Sequence, residues 1–453
     1  MHDTIAAIAT GYSVSAIGVI RVSGDQAVSA AGMLFHPFNG QPVELAEDRK
    51  LLYGELRSDK GELLDLCLCT ISRGPHSYTG EDAAEFQCHG SPVVLRAVLD
   101  SLFHLGVRQA KPGEFTKRAF LNGRMELTSA EAVADLIDAE TEEAAKNAAG
   151  QLSGAISRKT EMIYRKLVDI CAHFHAVLDY PDEDIEPFYL TEYSGTLKSA
   201  EETLTRLLRT YDRGRMMNAG IPTAIVGRPN AGKSSLLNAL LGYDRAIVTN
   251  IPGTTRDTIE EKLKLGNVVL RLTDTAGIRE SADEAEKLGV ARSYAAMESA
   301  ALVIVVIDGT SAVTAEDELL LASAKKAPAA LLVLSKKDLP EFQQALQITD
   351  IPVYPLSTET GEGLRELEQA IMKLFPIPDV PAGEILTNSR QAEAVSKALD
   401  YLHAAVDALD NGMTPDIVLT EAEGAMDAIG ELSGRTIRED VTDRIFSRFC
   451  VGK

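Results

Sequence analysis

Residues 227–234 read GRPNAGKS: a glycine, four intervening residues, then Gly232, Lys233 and Ser234. These types at this spacing bind the phosphates of a nucleotide. Glycines let successive backbone N–H groups curl around phosphate oxygens, the lysine reaches the β and γ oxygens, and the hydroxyl is a ligand for Mg2+. The expected contacts run through Asn230, Ala231, Gly232, Lys233, Ser234 and Ser235, with Ser234 on Mg2+. The context fits as well, because the strand-like IPTAIVG leads into the loop and SSLLNAL leaves it with helical texture.

Three further stretches follow in the order a nucleoside triphosphatase needs. TNIPGTTRD, residues 249–257, lays Thr249, Asn250, Ile251, Pro252, Gly253 and Thr254 along the nucleotide and offers Thr255 as a second hydroxyl for Mg2+. Asp274, Thr275, Ala276 and Gly277 follow VVLRLT, where a carboxylate approaches Mg2+ through water and a glycine amide meets the γ-phosphate. Ser335, Lys336, Lys337 and Asp338 end AALLVLS. There the Asp338 carboxylate accepts from guanine N1–H and N2–H together, a pattern adenine cannot satisfy. Ser357, in PLSTETGEG, belongs to the segment expected to close over the base. Order and context together predict a GTPase domain. Two positions depart from small GTPases: Ser335 stands where Asn is usual, and Ile278 stands where a Gln often orients the attacking water. Another group must then organise hydrolysis.

Loops of this kind need a sheet to hold them. IPTAIVG, VVLRLTD, ALVIVVID, AALLVLS and IPVYPLS are short apolar runs separated by helical patterns, which predicts a parallel sheet with crossover helices over residues 219–376. Earlier, TIAAIAT, AIGVIRVSG, KLLYGEL, LLDLCLCTI and DAAEFQCHG read as strands of a first domain, residues 1–118. From about residue 127 apolar residues recur at helical spacing: Leu127, Val133, Ile137, Ala144, Ala148, Leu152 and Ile156, then Leu167, Ile170, Phe174 and Leu178. DYPDEDIEP interrupts them, and helical texture returns after PIPDVP. The two flanks share this composition, so residues 119–218 and 377–453 are expected to form one helical domain into which the α/β domain is inserted.

At 453 residues the chain is long enough for two or three such cores. Its formal net charge of -22 argues against nonspecific binding to nucleic-acid backbone over most of the surface, so any RNA contact is expected to be local or shared with a partner. Five cysteines, at 67, 69, 88, 171 and 450, contain no CxxC pair and are expected to form neither a disulfide framework nor a zinc site. Cys67 and Cys69, at strand spacing, are expected to pack. MHDTIAAIATG lacks the basic start and apolar core of a signal peptide, and no apolar run reaches a membrane span, so a reducing, cytoplasmic setting without membrane contact is expected. Cys450, followed by Val451, Gly452 and Lys453, has the outline of a prenylation box but not its residues. Two readings stay open for it, a small packed hydrophobe or a reactive thiol.

GRPNAGKSSLLNAL, TNIPGTTRD, DTAGIRE, HGSPVVLRAVLD, RQAKPGEFTKRAFLNGRMEL, DYPDEDIE and FCVGK, in this order and across the whole chain, resemble the tRNA uridine-modification GTPases of the MnmE (TrmE) type. The resemblance implies an N-terminal α+β folate-binding-like domain, a helical domain and an inserted P-loop, Ras-like G domain: a multidomain α/β and α protein. It implies a homodimer joined through the N-terminal domain. It also implies a heterotetramer with an FAD-dependent protein, MnmG (GidA), which brings the FAD, to build an aminomethyl-type group on C5 of the wobble uridine, position 34, of certain tRNAs. The one-carbon unit would come from 5,10-methylene- or 5-formyl-tetrahydrofolate. K+ is expected to pair the G domains through Asn230, Thr249, Ile251 and Thr254, and Glu286 to orient the water. Arg21, Glu85, Arg124 and Lys453 are the matching folate positions, and Cys450 becomes the thiol that handles the folate-borne carbon. A turn richer in Gly and Pro is common where this chain has TGYSVSAIG. Two rival readings share the G-domain motifs: a ribosome-assembly GTPase that times RNA binding, and a dimerising signalling switch. The acidic balance and the absence of a basic RNA-binding appendage oppose the first, and the strand-rich N-terminal domain and the Cys tail oppose the second.

Overall fold

The computed structural model describes residues 3–180, 188–243, 261–272, 294–343, 350–376, 378–435, 439–447 and 449–452. The chain forms two compact units: Met1–Ala134 with Gln151–Ala200 and Lys397–Lys453, and Asp135–Gly150 with Glu201–Ser396.

In the first unit the five stretches expected as strands are found as β1 (Ile5–Ile8), β2 (Ser15–Ser23), β4 (Leu52–Arg57), β5 (Leu63–Ser72) and β6 (Ala83–Gly90), joined by the short β3 (Phe35–Pro37) and β7 (Arg108–Gln109). They make one sheet in the order β3-β4-β5-β6-β2-β1-β7. Its pairs are antiparallel except for β1 with β7. Alternation sets the two faces: Leu52, Leu56, Cys67, Cys69 and Ile71 point into the core while Tyr53 and Leu66 face out. Two helices the strand reading passed over, Ala27–Leu34 and Pro92–His104, cover the inner face. The second shows the reason it forms: Leu95, Val98, Leu99 and Leu102 recur at helical spacing and are buried, and Pro92 stands in the first turn, where a missing N–H costs nothing. Cys67 and Cys69 pack as expected. Further along, Ala155–Asp179 lies against Pro415–Ser433, with Cys171 Sγ 3.9 Å from Met426 Sδ. Burial pushes the Cys171 thiol up to about 11.

The second unit is built on β8 (Ile221–Val226), β9 (Glu261–Leu265), β10 (Val268–Leu272), β11 (Leu302–Asp308), β12 (Ala329–Ser335) and β13 (Val353–Pro355), in the order β13-β12-β11-β8-β10-β9. β11 is apolar from Leu302 to Ile307 because both faces are covered. Leu236, Leu240, Leu367 and Ile371 belong to the core on one side, and Met297, Leu320 and Leu321 to the core on the other. The sheet departs from the expected parallel pattern at β9, which runs antiparallel to β10. Gly266 and Asn267 make the two-residue link between them, a hairpin signal that the crossover pattern hid. Buried Asn147 organises the same unit through its amide: Nδ2 donates to the Ile385 carbonyl at 3.1 Å and Oδ1 accepts the Gly383 N–H at 2.8 Å. The multidomain α/β and α architecture expected from the motifs is the one observed.

Candidate functional site

β8 lies inside its sheet between β10 and β11 and delivers the phosphate loop at its C-terminal end, where open α/β sheets bind ligands. Gly227 leaves the strand with φ 154°, so close to β11 that a Cβ would overlap the Val306 carbonyl oxygen. Asn230 adopts φ 62°, a left-handed conformation that asparagine tolerates better than most residues. The helix Lys233–Tyr243 then begins at the lysine, and its N-terminal N–H groups and dipole favour an anion at this end. Lys233 Nζ folds over the loop and donates to the carbonyls of Gly227 at 2.7 Å and Arg228 at 2.9 Å. Burial lowers the lysine's pKa from its usual value, with Glu316 acting in opposition. An ammonium held by neutral carbonyls gains a stronger, charge-assisted bond when phosphate replaces them. Ser234 and Ser235 are exposed in the first turn of that helix, next to the loop.

The segment expected to recognise the base touches the phosphate loop directly. Ser335 is buried at the end of β12, and its Oγ donates to the Ala231 carbonyl at 2.6 Å. The shorter side chain therefore bridges two nucleotide-binding segments. Lys336 has φ 62°, and its Nζ lies 2.6 Å from Asp308 Oδ2 at the end of β11. Burial works against the Asp308 carboxylate, yet Lys336 and the Thr310 hydroxyl and N–H hold it below the usual carboxylate range. Asp338 is exposed and has no partner among the described residues, so both oxygens remain available to accept. Ser357 is buried, its N–H donates to Glu362 O at 2.9 Å, and its Oγ accepts the Thr360 N–H at 3.2 Å. The Lys337–Glu362 pair at 2.8 Å joins that loop to the base motif.

Sequence reading missed two carboxylates here. Asp308 ends an apolar strand and holds Lys336. Asp317, wholly buried, lies 3.0 Å from Arg228 Nε in the phosphate loop while also capping the helix Ala315–Ala324 with Thr314. The Thr314-x-x-Asp317 spacing is a legible capping signal. The arginine's arrival from the loop is not. Residues 249–255, residues 274–277, Glu286 and Lys453 lie outside the described residues.

A second constellation forms in the first unit. Arg21 on β2 and Glu85 on β6 face each other in register, with Nε and Oε1 2.7 Å apart. The guanidinium also lies over two rings, 5.4 Å from the centroid of Tyr78 and 5.7 Å from that of Phe115. Arg124 reaches the same loop, donating from Nε to the Ser77 carbonyl at 3.1 Å. Cys450 is the exposed member of the five cysteines, and its carbonyl accepts the Gly113 N–H at 3.2 Å. Val451 packs beside Ile5, Ala7, Ala110 and Phe115. Gly452, at φ 102°, approaches β1 so closely that a Cβ would overlap the Ile8 carbonyl oxygen. Phe115 thus belongs to the cluster that receives Val451 and also lies under the Arg21 guanidinium.

An ion network unseen in the sequence frames this constellation. Arg108 pairs with Asp3 at 2.6 Å and Glu114 at 2.7 Å, and Arg118 pairs with Asp3 at 2.8 Å, Glu81 at 2.9 Å and Glu114 at 3.1 Å. The Arg108 hydrogen bond is the main cause of Asp3's lowered pKa. Burial opposes ionisation of Glu114, but Arg108, the Lys111 N–H and Arg118 hold it below the usual range. The network anchors the loop bearing Tyr78 and the helix Glu114–Leu121 bearing Phe115.

Comparison with known proteins agrees with this construction. Residues 4–124 match the family model "GTP-binding protein TrmE N-terminus" and residues 127–450 match "MnmE helical domain". The tRNA modification GTPase MnmE of Symbiobacterium thermophilum is 41% identical over 456 residues, covering 100% of both chains. That of Alkaliphilus metalliredigens is 38% identical over 460 residues, again covering 100% of both. Among solved structures, the G domain of the T. maritima FeoB iron transporter aligns at 30% identity with 34% of this chain and 98% of that one, with a TM-score of 0.25. With full-length relatives at this identity and two family models spanning both units, the chain belongs to the MnmE family of tRNA modification GTPases.

Proposed function

We propose that this chain couples K+-stimulated GTP hydrolysis to modification of tRNA. With an FAD-dependent partner of the MnmG (GidA) type, it would install an aminomethyl-type group on C5 of uridine 34, using a tetrahydrofolate one-carbon donor. The observation that carries the reading is the Arg21 guanidinium, paired with Glu85 and lying over Tyr78 and Phe115, with Val451 of the Cys450 tail packed against the cluster that contains Phe115. A guanidinium suits the carboxylates of folate, a glutamate suits its amino-pyrimidine edge, and an exposed thiol suits one-carbon transfer. Arg124 and Lys453 complete the proposed folate set. The boundaries at residues 118, 218 and 376 are part of this proposal, as are the cytoplasmic setting and the heterotetramer with the partner. The exposed Tyr53 and Leu66 on the outer face of the N-terminal sheet support a homodimer formed there.

At the nucleotide site the phosphate loop fits GTP with Mg2+: the glycine backbone leaves room for phosphate, Lys233 would exchange its loop carbonyls for the β and γ oxygens, and the Ser234 hydroxyl would join Thr255 as a ligand for the ion. Mg2+ held there would supply charge neutralisation to the phosphate oxygens as GDP leaves. Asp338 would select guanine. Glu286 would orient the attacking water in place of the missing Gln, and Asn230 with residues 249, 251 and 254 would hold K+. GTP hydrolysis then drives a conformational cycle, and the one-carbon chemistry stays at the folate site.

GTP turnover in KCl and in NaCl at equal ionic strength, with Asn230→Ala beside the wild type, tests this reading. Strong activation by K+ that the variant loses is the expected result. Equal rates in both salts would remove the cation mechanism.

A further inference from the structure

β5 carries Asp65 and Cys67 two residues apart on the core side, and β6 carries Cys88. The strand register sets Leu68 opposite Gln87, which puts Cys67 across from Cys88. A carboxylate oxygen of Asp65 and the two Sγ atoms all lie within 4.8 Å of one another. Both thiols are buried, with Cys67 4% and Cys88 2% exposed. The Asp65 side chain is only 9% exposed, and its ion-pair partner among the described residues is His89, with Nδ1 2.8 Å from Oδ1. Backbone N–H groups of Leu66 and His89 complete its hydrogen bonds, at 2.7 Å and 2.8 Å. A largely buried carboxylate beside two thiols of the core, with no lysine or arginine paired to it among the described residues, brings metal-ligand chemistry to the edge of an apolar cluster.

We propose that Asp65, Cys67 and Cys88 bind one thiophilic divalent cation of the zinc class. Zinc bonds of about 2.0–2.3 Å place neighbouring donors of a tetrahedral site roughly 3.3–3.8 Å apart, so small side-chain rotations close this set. Two thiolates with a carboxylate favour zinc over the oxygen-loving Mg2+ and Ca2+. His89, on the exposed rim, holds the carboxylate as outer partners of metal ligands do. Water takes the fourth position. The spacing Asp-x-Cys carries no familiar motif because the second thiol comes from the neighbouring strand. Donors from two strands make the cation a clip between β5 and β6, three residues along β6 from Glu85.

The test uses the purified full-length protein, stripped with a chelator and titrated with Co2+ while thiolate-to-cobalt charge-transfer absorption is read, with Zn2+ as competitor. One Co2+ per chain, with a band displaced by Zn2+, is expected. Cys88→Ala should lose the band, His89→Ala should bind about tenfold more weakly, and Cys450→Ser should keep the band. Zn2+ should raise the melting midpoint of the wild type and not that of Cys88→Ala. No band in the wild type, or a band surviving in Cys88→Ala, overturns the proposal. If Cys88→Ala proves unfolded by circular dichroism, the nearly isosteric Asp65→Asn decides: unchanged Co2+ affinity overturns the site, and weakened affinity with a normal spectrum of the fold supports it.

Discussion

The nucleotide loop and the Arg21 constellation are shaped in opposite ways. Around Lys233 the main chain does the shaping: a glycine against β11, left-handed backbone at Asn230 and Lys336, and an ammonium resting on the loop's own carbonyls. Around Arg21 the backbone is ordinary strand, and side chains do the shaping through stacked rings and a ring of ion pairs. The first arrangement can exchange its internal contacts for ligand contacts. The second is walled by the Arg108 and Arg118 ion pairs, which hold the loop and helix that carry its rings.

Arg118→Ala offers the largest break in that contrast. It strips Glu81 and Glu114 of a guanidinium that is itself only 11% exposed, so the first unit should lose roughly 3 kcal/mol, read by urea unfolding, while GTP turnover at the other unit holds. Stability unchanged by the substitution would mean the wall is not held by charge. Lys233→Ala should do the reverse. Turnover should fall about a hundredfold or more, with the unfolding midpoint retained, because the lost side chain was held by neutral carbonyls.

Acid should separate the two regions less sharply. Asp3 and Glu114 have lowered pKa values in the folded chain, so the stability they supply is fully present above the ordinary carboxylate range and is lost as pH falls through their folded values. The first unit of the wild type should therefore weaken progressively below about pH 4.5, and Arg118→Ala should flatten that slope in thermal melts at a series of pH values. Ser335→Ala is the mildest probe. Losing one hydrogen bond to the Ala231 carbonyl should cost about 1 kcal/mol, near fivefold in GTP affinity by titration, with preference for GTP over ATP kept by Asp338. A collapse of that preference would move base selection away from Asp338.

The same contrast explains how much was readable before the fold. A loop built from backbone needs glycines at set distances in one short run, so residues 227–234 and the strand before them announce both the site and its sheet. The β9–β10 hairpin was legible too, at Gly266 and Asn267, but the surrounding parallel pattern masked it. The ion network draws on positions 3, 81, 108, 114 and 118, each an unremarkable surface charge in a local window, and only the packing of β1, β7 and the helix Glu114–Leu121 makes them neighbours. Arg21 and Glu85 came from resemblance alone, since strand register is a long-range property. Asp317 was half visible, as a cap, and its bond to Arg228 depended on the spacing between β8 and β11.

The tail packed on β1 also has a consequence in time. Val451 and Gly452 cover Ile5, Ala7 and Ile8, yet they leave the ribosome almost a whole chain later, and the helix Glu439–Phe446 reaches the N-terminal unit through Lys117 and Asp443 just as late. Domains generally begin to fold during synthesis from the N-terminal side. Here β1, paired on both edges by β2 and β7, waits for Val451 and Gly452 to cover it. The price is a long loop closure. A ribosome-stalled nascent chain that stops before residue 439 would therefore carry a formed nucleotide unit and an unfinished N-terminal one, and the thiol at Cys450 belongs to the segment that completes it.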